Sequence, residues 1–259
     1  MPARAMWKGV VRFADVRVPV KLYAAVEDQV VHFRLLHASD HAPVKQALVN
    51  PHSEAVVPYG EARRAYVTEE KDLVMLSDAD LATLEPEPSR DIEILQFLPS
   101  QAIDHRWYRR PYYLGPDDGG KEAFFALTEA LATTGREGLA RWVMRKKAYV
   151  GALRLHAGYP MLVALRHAEE IVAVEDLETP AGRPPDEREL AMARQLIDML
   201  AADFEPAEYH DEYRARVQEL IATKARGDRV AAPPVPKPRP QEDLTRALQA
   251  SLKQERKRA

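Results

Sequence analysis

The chain has 259 residues, 46% hydrophobic and 30% charged, with a formal net charge of −3. That is enough apolar surface for one large core or two modest ones, so a folded globular protein is expected. No run of about 18 apolar residues is present, which excludes a membrane-spanning helix, and the start lacks the apolar stretch of a signal peptide. The absence of cysteine excludes disulfides, thiolate catalysis and thiolate metal sites together, and the expected setting is cytoplasmic.

The small net charge hides an uneven distribution. Residues 237–259 hold seven basic groups against three acidic ones, so the body before them is more acidic than the total. Screening confines each charge to about 8 Å at physiological salt, so a local basic surface on an acidic body can still attract phosphate.

In chain order, Trp7, Gly9, Val11 and Phe13 share one parity and Lys8 and Arg12 the other. Val16, Val18, Val20 and Leu22 then alternate with Arg17 and Lys21. This is period-2 patterning, two strands with an apolar and a basic face, and Ala14-Asp15 between them suits a tight hairpin. Alternation alone favours an ordinary edge hairpin whose cations keep its outer face soluble. Val30 to Phe33 reads as a strand. Residues 34–66 carry Pro43, Pro51 and Pro58, several Arg, Lys and His, and few large apolar side chains, which predicts an extended arm at about 30–70.

A short helix is expected near Asp78 to Leu84 with Ser77 as its cap, then strands over Ile92 to Leu98 and Tyr112 to Leu114, the latter ended by Gly115-Pro116. Lys121 to Thr134 reads as a helix closed by Gly135. Leu139 to Arg145 and Tyr149 to Leu155 read as a hairpin joined across Lys146-Lys147, and Met161 to Leu165 as a strand after the Gly158-Tyr159-Pro160 turn. Many short strands with few helices favour an antiparallel sheet or barrel, so the fold class is mainly β with α.

From residue 185 the period changes. Pro185 suits a helix start, with Leu190, Ala193, Ile197 and Leu200 as its stripe. Pro206 opens a second helix with Tyr209, Tyr213, Val217, Leu220 and Ile221 on one face. These helices, at about 185–226, are expected to pack on the barrel or on a second subunit. Residues 1–226 thus form the core, and 227–240 a Pro-rich linker, extended and semi-rigid. Residues 241–259 form a basic tail whose short stripe of Leu244, Ala247, Leu248 and Leu252 orders only on a partner.

Several segments resemble the bacterial Ku proteins, in family order: the opening hairpin, His32-Phe33-Arg34-Leu35-Leu36-His37, Ser89-Arg90-Asp91-Ile92-Glu93-Ile94-Leu95, Pro111-Tyr112-Tyr113-Leu114, Ala152-Leu153-Arg154, and Asp203-Phe204 with Tyr209-His210-Asp211-Glu212-Tyr213-Arg214. Each is weak alone; together they span residues 4–227. The resemblance implies a homodimer built on a seven-stranded β-barrel, with an arm from each subunit closing a ring around duplex DNA. It implies sequence-independent binding of double-stranded DNA ends in non-homologous end joining near the bacterial nucleoid. It also implies recruitment and stimulation of a multidomain ATP-dependent DNA ligase of the ligase D type. Neither catalysis nor a cofactor is implied. Many members carry a Cys-x-x-Cys pair in the arm; Asn50 and Ser53 stand at those positions here, so zinc-dependent features of those relatives are expected to be absent. His37, His41 and His52 lie nearby, but Pro43 breaks the segment and no metal site is assigned.

Arg145, Lys146 and Lys147 form the densest basic run before the tail, and the matching turn in Ku-like proteins points into the DNA channel. For the same reason Arg17 at the first hairpin and Arg34, Lys45, Arg63 and Arg64 in the arm are candidate phosphate contacts. A ring accepting any end should touch the backbone and ignore base edges. Lys253, Arg256, Lys257 and Arg258 in the tail are candidates for contact with DNA or with the ligase. Two other readings are weighed. One takes Asp78, Asp80, Asp117 and Asp118 as carboxylates of a metal-dependent nuclease, though helix-start and turn chemistry account for them. The Tyr-rich helices could instead serve a protein-interaction scaffold that never threads DNA.

Overall fold

The computed structural model describes residues 4–178 and 182–227, together with Gln249 and Lys253. β1 (Trp7–Phe13) and β2 (Val16–Ala24) pair antiparallel across Ala14-Asp15. The predicted parity holds: Val11, Val18, Val20 and Leu22 are fully buried, and the four cations take the opposite face. Residues 25–90 contain only short elements and not one buried residue. They comprise β3 (Leu48–Val49) with β4 (Val56–Val57), β5 (Arg64–Val67) with β6 (Leu73–Leu76), and α1 (Asp78–Thr83). Ser77 caps α1 through a reciprocal capping box with Asp80. Val30 to Phe33 is irregular rather than a strand, because an apolar run becomes a strand only where a neighbouring strand takes its backbone hydrogen bonds.

The chain continues through β7 (Asp91–Pro99), β8 (Tyr108–Pro116), α2 (Lys121–Thr134), β9 (Arg136–Met144), β10 (Lys147–His156) and β11 (Tyr159–Leu165). The seven long strands close a barrel in the order β1-β2-β8-β11-β10-β9-β7. Every neighbour is antiparallel except β7 with β1, whose parallel pairing completes the circle. Several boundaries move from their sequence reading; β9, for example, starts at Arg136 rather than Leu139. β8 starts earlier than Tyr112, at Tyr108, and the β10–β11 turn is Ala157-Gly158, both at positive φ, rather than Gly158-Tyr159-Pro160.

Strand direction fixes what lies at each end. The arm leaves after β2 and returns at the start of β7, at the same end as the β9–β10 turn. At the other end α2 joins β8 to β9. It buries Phe124, Leu127 and Leu131 in the same cluster as the inward-facing strand residues and touches β2, β8, β9 and β10, so it stops that end of the barrel. Gly135 ends it in the left-handed conformation, φ 60°, its N–H donating to the Leu131 carbonyl at 3.1 Å.

The chain divides into two compact units, Met1–Gln29 with Phe33–Asp176, and Val30–His32 with the chain from Leu177. The second contains α3 (Glu187–Leu200) and α4 (Glu212–Ala225). Asp186 caps α3 and shares a box with Glu189, which also takes a two-pronged contact from Arg183, both bonds 2.8 Å; this sets the start one residue beyond Pro185-Asp186. The second helix does not open at Pro206. Pro206–Glu208 is a single 3₁₀ turn, and α4 begins where the Asp211 carboxylate accepts the Arg214 N–H, which leaves Tyr209 outside the helix.

Candidate nucleic-acid interface

Arg17 follows the β1–β2 turn on the outer face, where Arg12 is its cross-strand partner. The Arg17 guanidinium lies 3.7 Å from Asp91, and Arg12 lies 3.4 Å from Asp91 and 3.9 Å from Glu93. Glu93 also holds Arg141 at 2.6 Å. The result is a ladder of three arginines and two carboxylates across β2, β1, β7 and β9, a surface of net positive charge. Arg12 is not among the candidates read from the sequence, and nothing local in the sequence brings Arg141 beside it; the parallel closure of β7 on β1 does so. Lys8 and Lys21 differ. Both bind Asp117, at 3.0 and 2.8 Å. The Lys21 hydrogen bond first, then the Asp118 N–H and Lys8, hold the Asp117 carboxyl well below the usual carboxylate range. These lysines are committed to an internal partner.

The β9–β10 turn is Arg145-Lys146 rather than Lys146-Lys147, with φ 50° and 63°; Lys147 is the first residue of β10 and is exposed. Lys146 reaches Glu85 at 2.9 Å, so the tip is pinned to the segment returning from the arm. Arg145 lines the same groove with Trp7, Pro88 and Arg90. The returning segment Glu85–Asp91 therefore has Lys146 on Glu85 and Arg17 on Asp91. Two candidates far apart in sequence border one short stretch of chain.

In the arm, Arg63 donates to the Gly60 carbonyl at 2.7 Å and Arg64 lies 3.6 Å from Asp78. Together with Leu48, Tyr59 and Ser77 they line a groove of about 650 Å³. Arg34 and Lys45 are exposed and make no ion pair among the described residues, as is also true of Lys147. Lys253 is helical and exposed; Arg256, Lys257 and Arg258 lie outside the described residues, as do the linker residues from Asp228 to Pro240. Asp78 and Asp80 occupy the first turn of α1, and no group of three or more His, Asp or Glu among the described residues is arranged to hold a metal ion.

Two hairpin knuckles in the arm share one backbone pattern. His37 N–H donates to the Ala42 carbonyl and His41 N–H to the His37 carbonyl. In the second, Asn50 N–H donates to Ala55 and Glu54 N–H to Asn50. His41 and Glu54 both have φ 56°.

The family model for the Ku70/Ku80 beta-barrel domain matches residues 12–192, most of the barrel and the whole excursion between β2 and β7. The chain belongs to the Ku family. It is 35% identical over 255 residues to the non-homologous end joining protein Ku 2 of Geotalea uraniireducens, covering 98% of this chain and 99% of that protein. It is 36% identical over 248 residues to the non-homologous end joining protein Ku of Desulfitobacterium hafniense, 95% and 86% of the two chains. With the Bacillus subtilis protein of the same name the identity is 35% over 257 residues, 97% and 82%.

The arm of this Ku chain does not suit the zinc that a Cys-x-x-Cys pair would hold. The Asn50 side-chain carbonyl accepts the His52 N–H at 2.9 Å and so closes its own turn. In the other knuckle His37 meets Asp40 at 2.8 Å while Asp40 accepts the Ala42 N–H at 3.0 Å. Hydrogen bonds close both turns, and neither presents thiolates.

Proposed function

We propose that this chain binds the ends of double-stranded DNA without regard to sequence, as a homodimeric ring acting in non-homologous end joining, and that it is not an enzyme. The observation that carries the reading is the match to the Ku barrel and to proteins named for end joining, on a fold whose basic turn and arm roots occupy one end of the barrel. Arg17, Arg34, Lys45, Arg63, Arg64, Arg145, Lys146 and Lys147 serve as backbone contacts, joined by Arg12 and Arg141 of the ladder. All are exposed or partly so, as contacts to a solvated polyanion require.

The homodimer is supported by the arm's lack of a core. Leu35, Leu36, Tyr66 and Leu73 are each at least half exposed in the single chain, and an arm that buries nothing alone gains from the arm of a second copy. Residues 1–226 make the ring. The linker 227–240 gives reach to the tail 241–259, in which Lys253, Arg256, Lys257 and Arg258 meet DNA or a multidomain ATP-dependent ligase of the ligase D type, in the bacterial cytoplasm at the nucleoid.

A gel shift comparing linear with covalently closed circular DNA of one sequence tests the reading. A threading ring needs an end, so linear DNA should be shifted at much lower protein concentration. Equal binding to both forms would sink the ring and favour a scaffold or a surface binder, and cleavage of the DNA in magnesium or manganese would revive the nuclease.

A further inference from the structure

Among the described residues, every cation assigned to DNA that has an ion-pair partner takes it from one stretch of chain. Arg64 lies 3.6 Å from Asp78, Lys146 2.9 Å from Glu85, Arg17 3.7 Å from Asp91 and Arg141 2.6 Å from Glu93. Arg12 lies between Asp91 and Glu93, at 3.4 and 3.9 Å. Residues 78–93 lead from the arm into the barrel and carry six carboxylates against one arginine. Glu87 of the same stretch lines the groove that Arg145 borders.

On the barrel, the carboxylates stand behind the cations. The side chains of Asp91, Glu93 and Glu85 are 28, 35 and 38% exposed, against 41 to 75% for Arg12, Arg17, Arg141 and Lys146. A phosphate therefore reaches the cation first and comes to rest beside a negative charge that repels it. Pro86 and Pro88 stiffen the segment that presents Glu85, and pairing with β1 and β9 fixes the backbone of Asp91 and Glu93, so the chain that bears these charges does not swing aside. A cation held in this way must give up its carboxylate to take a phosphate, and it gains less than a free cation that releases condensed counterions. One such contact is weak, and only many made together give affinity. A duplex lying against the outside of the barrel meets few of these cations, whereas a duplex passed through the ring meets those of arm and barrel at once. We propose that Glu85, Asp91 and Glu93 are specificity-determining residues, an internal counter-charge that withholds the barrel's cations from duplex lying against the surface and leaves a threaded end as the form with enough contacts to bind.

The proposal rests on the DNA-end reading, and its test separates the two. Linear and covalently closed circular duplex of one sequence are titrated against salt with the full chain, with Glu85→Gln and with Glu85→Gln/Asp91→Asn/Glu93→Gln. Glu129→Gln, which removes one charge from an exposed position of α2, is the control for net charge. Wild type must prefer linear DNA; if it does not, the DNA-end reading falls and the selectivity with it. Given that preference, Glu85→Gln frees one cation and should steepen the slope of log affinity against log salt by about 0.9. The triple variant should steepen it further, and both should bind closed circular DNA at protein concentrations where wild type leaves it free. Glu129→Gln should follow wild type. Glu85 lies outside the barrel strands, so its variant leaves barrel closure intact and decides the matter alone where the triple variant does not fold. A Glu85→Gln slope and circular-DNA affinity equal to those of wild type, or matched by Glu129→Gln, would overturn the assignment and leave the ring standing.

Discussion

Two adjacent residues with side chains, Arg145 and Lys146, sit in the left-handed region, where a two-residue hairpin turn is normally given Asn-Gly. Each such residue costs roughly 1–2 kcal/mol relative to glycine-like freedom. The chain therefore keeps two cations at the tip at the expense of stability, as expected where charge is used. Arg145→Asn/Lys146→Gly should raise the melting temperature while weakening linear DNA binding and flattening its salt slope; a more stable variant with unchanged binding would separate the tip from DNA. Asp117 behaves oppositely. Its carboxyl is depressed below the ordinary 3.8 chiefly by Lys21, so its contribution is complete above that value and is lost as pH falls toward the folded one. Wild type should melt higher than Asp117→Asn at neutral pH, and the gap should narrow as pH drops below about 4. A gap independent of pH would show that the ion pairs do not stabilise the fold.

At the scale of the element, the strands were legible because one face of each is buried, and a period of two records that directly. The barrel's interior also needs room that no period records. A Cβ on Gly151 would stand 2.6 Å from the Trp142 ring and 2.6 Å from the Val163 carbonyl oxygen, so glycine lets the indole lie against β10, stacked 5.3 Å from Tyr149. Gly151→Ala should destabilise by about 1–3 kcal/mol through overpacking, read as a drop of several degrees in the melting temperature; an unchanged melt would mean the strands part easily there. Elements whose hydrogen bonds depend on a distant neighbour were misread. Val30 to Phe33 has apolar side chains but no ladder, and the helix expected from Pro206 waits for the Asp211 cap. At the β9–β10 turn, three consecutive cations gave no local reason to place the turn at Arg145-Lys146 rather than one residue later.

At the scale of the molecule, the tail is expected to serve joining and not ring closure. Deleting residues 237–259 should leave binding of linear DNA nearly intact and reduce stimulation of a ligase D type enzyme in an end-ligation assay; unchanged ligation would assign the tail no part in recruitment. Legible from sequence alone were a set of short strands suited to a sheet or barrel, a helix closed by Gly135, an arm poor in core residues, no thiol chemistry, and signatures of the Ku family in order. These are legible because burial, capping and turns act over a few residues. Tertiary structure decided which cations stand together. Parallel closure of β7 on β1 gathers Arg12, Arg17 and Arg141 around Asp91 and Glu93, while the turn between β9 and β10 sets Lys146 on Glu85 of the returning segment. Charge acts through space over several ångströms, so neighbours in the field need not be neighbours in the chain.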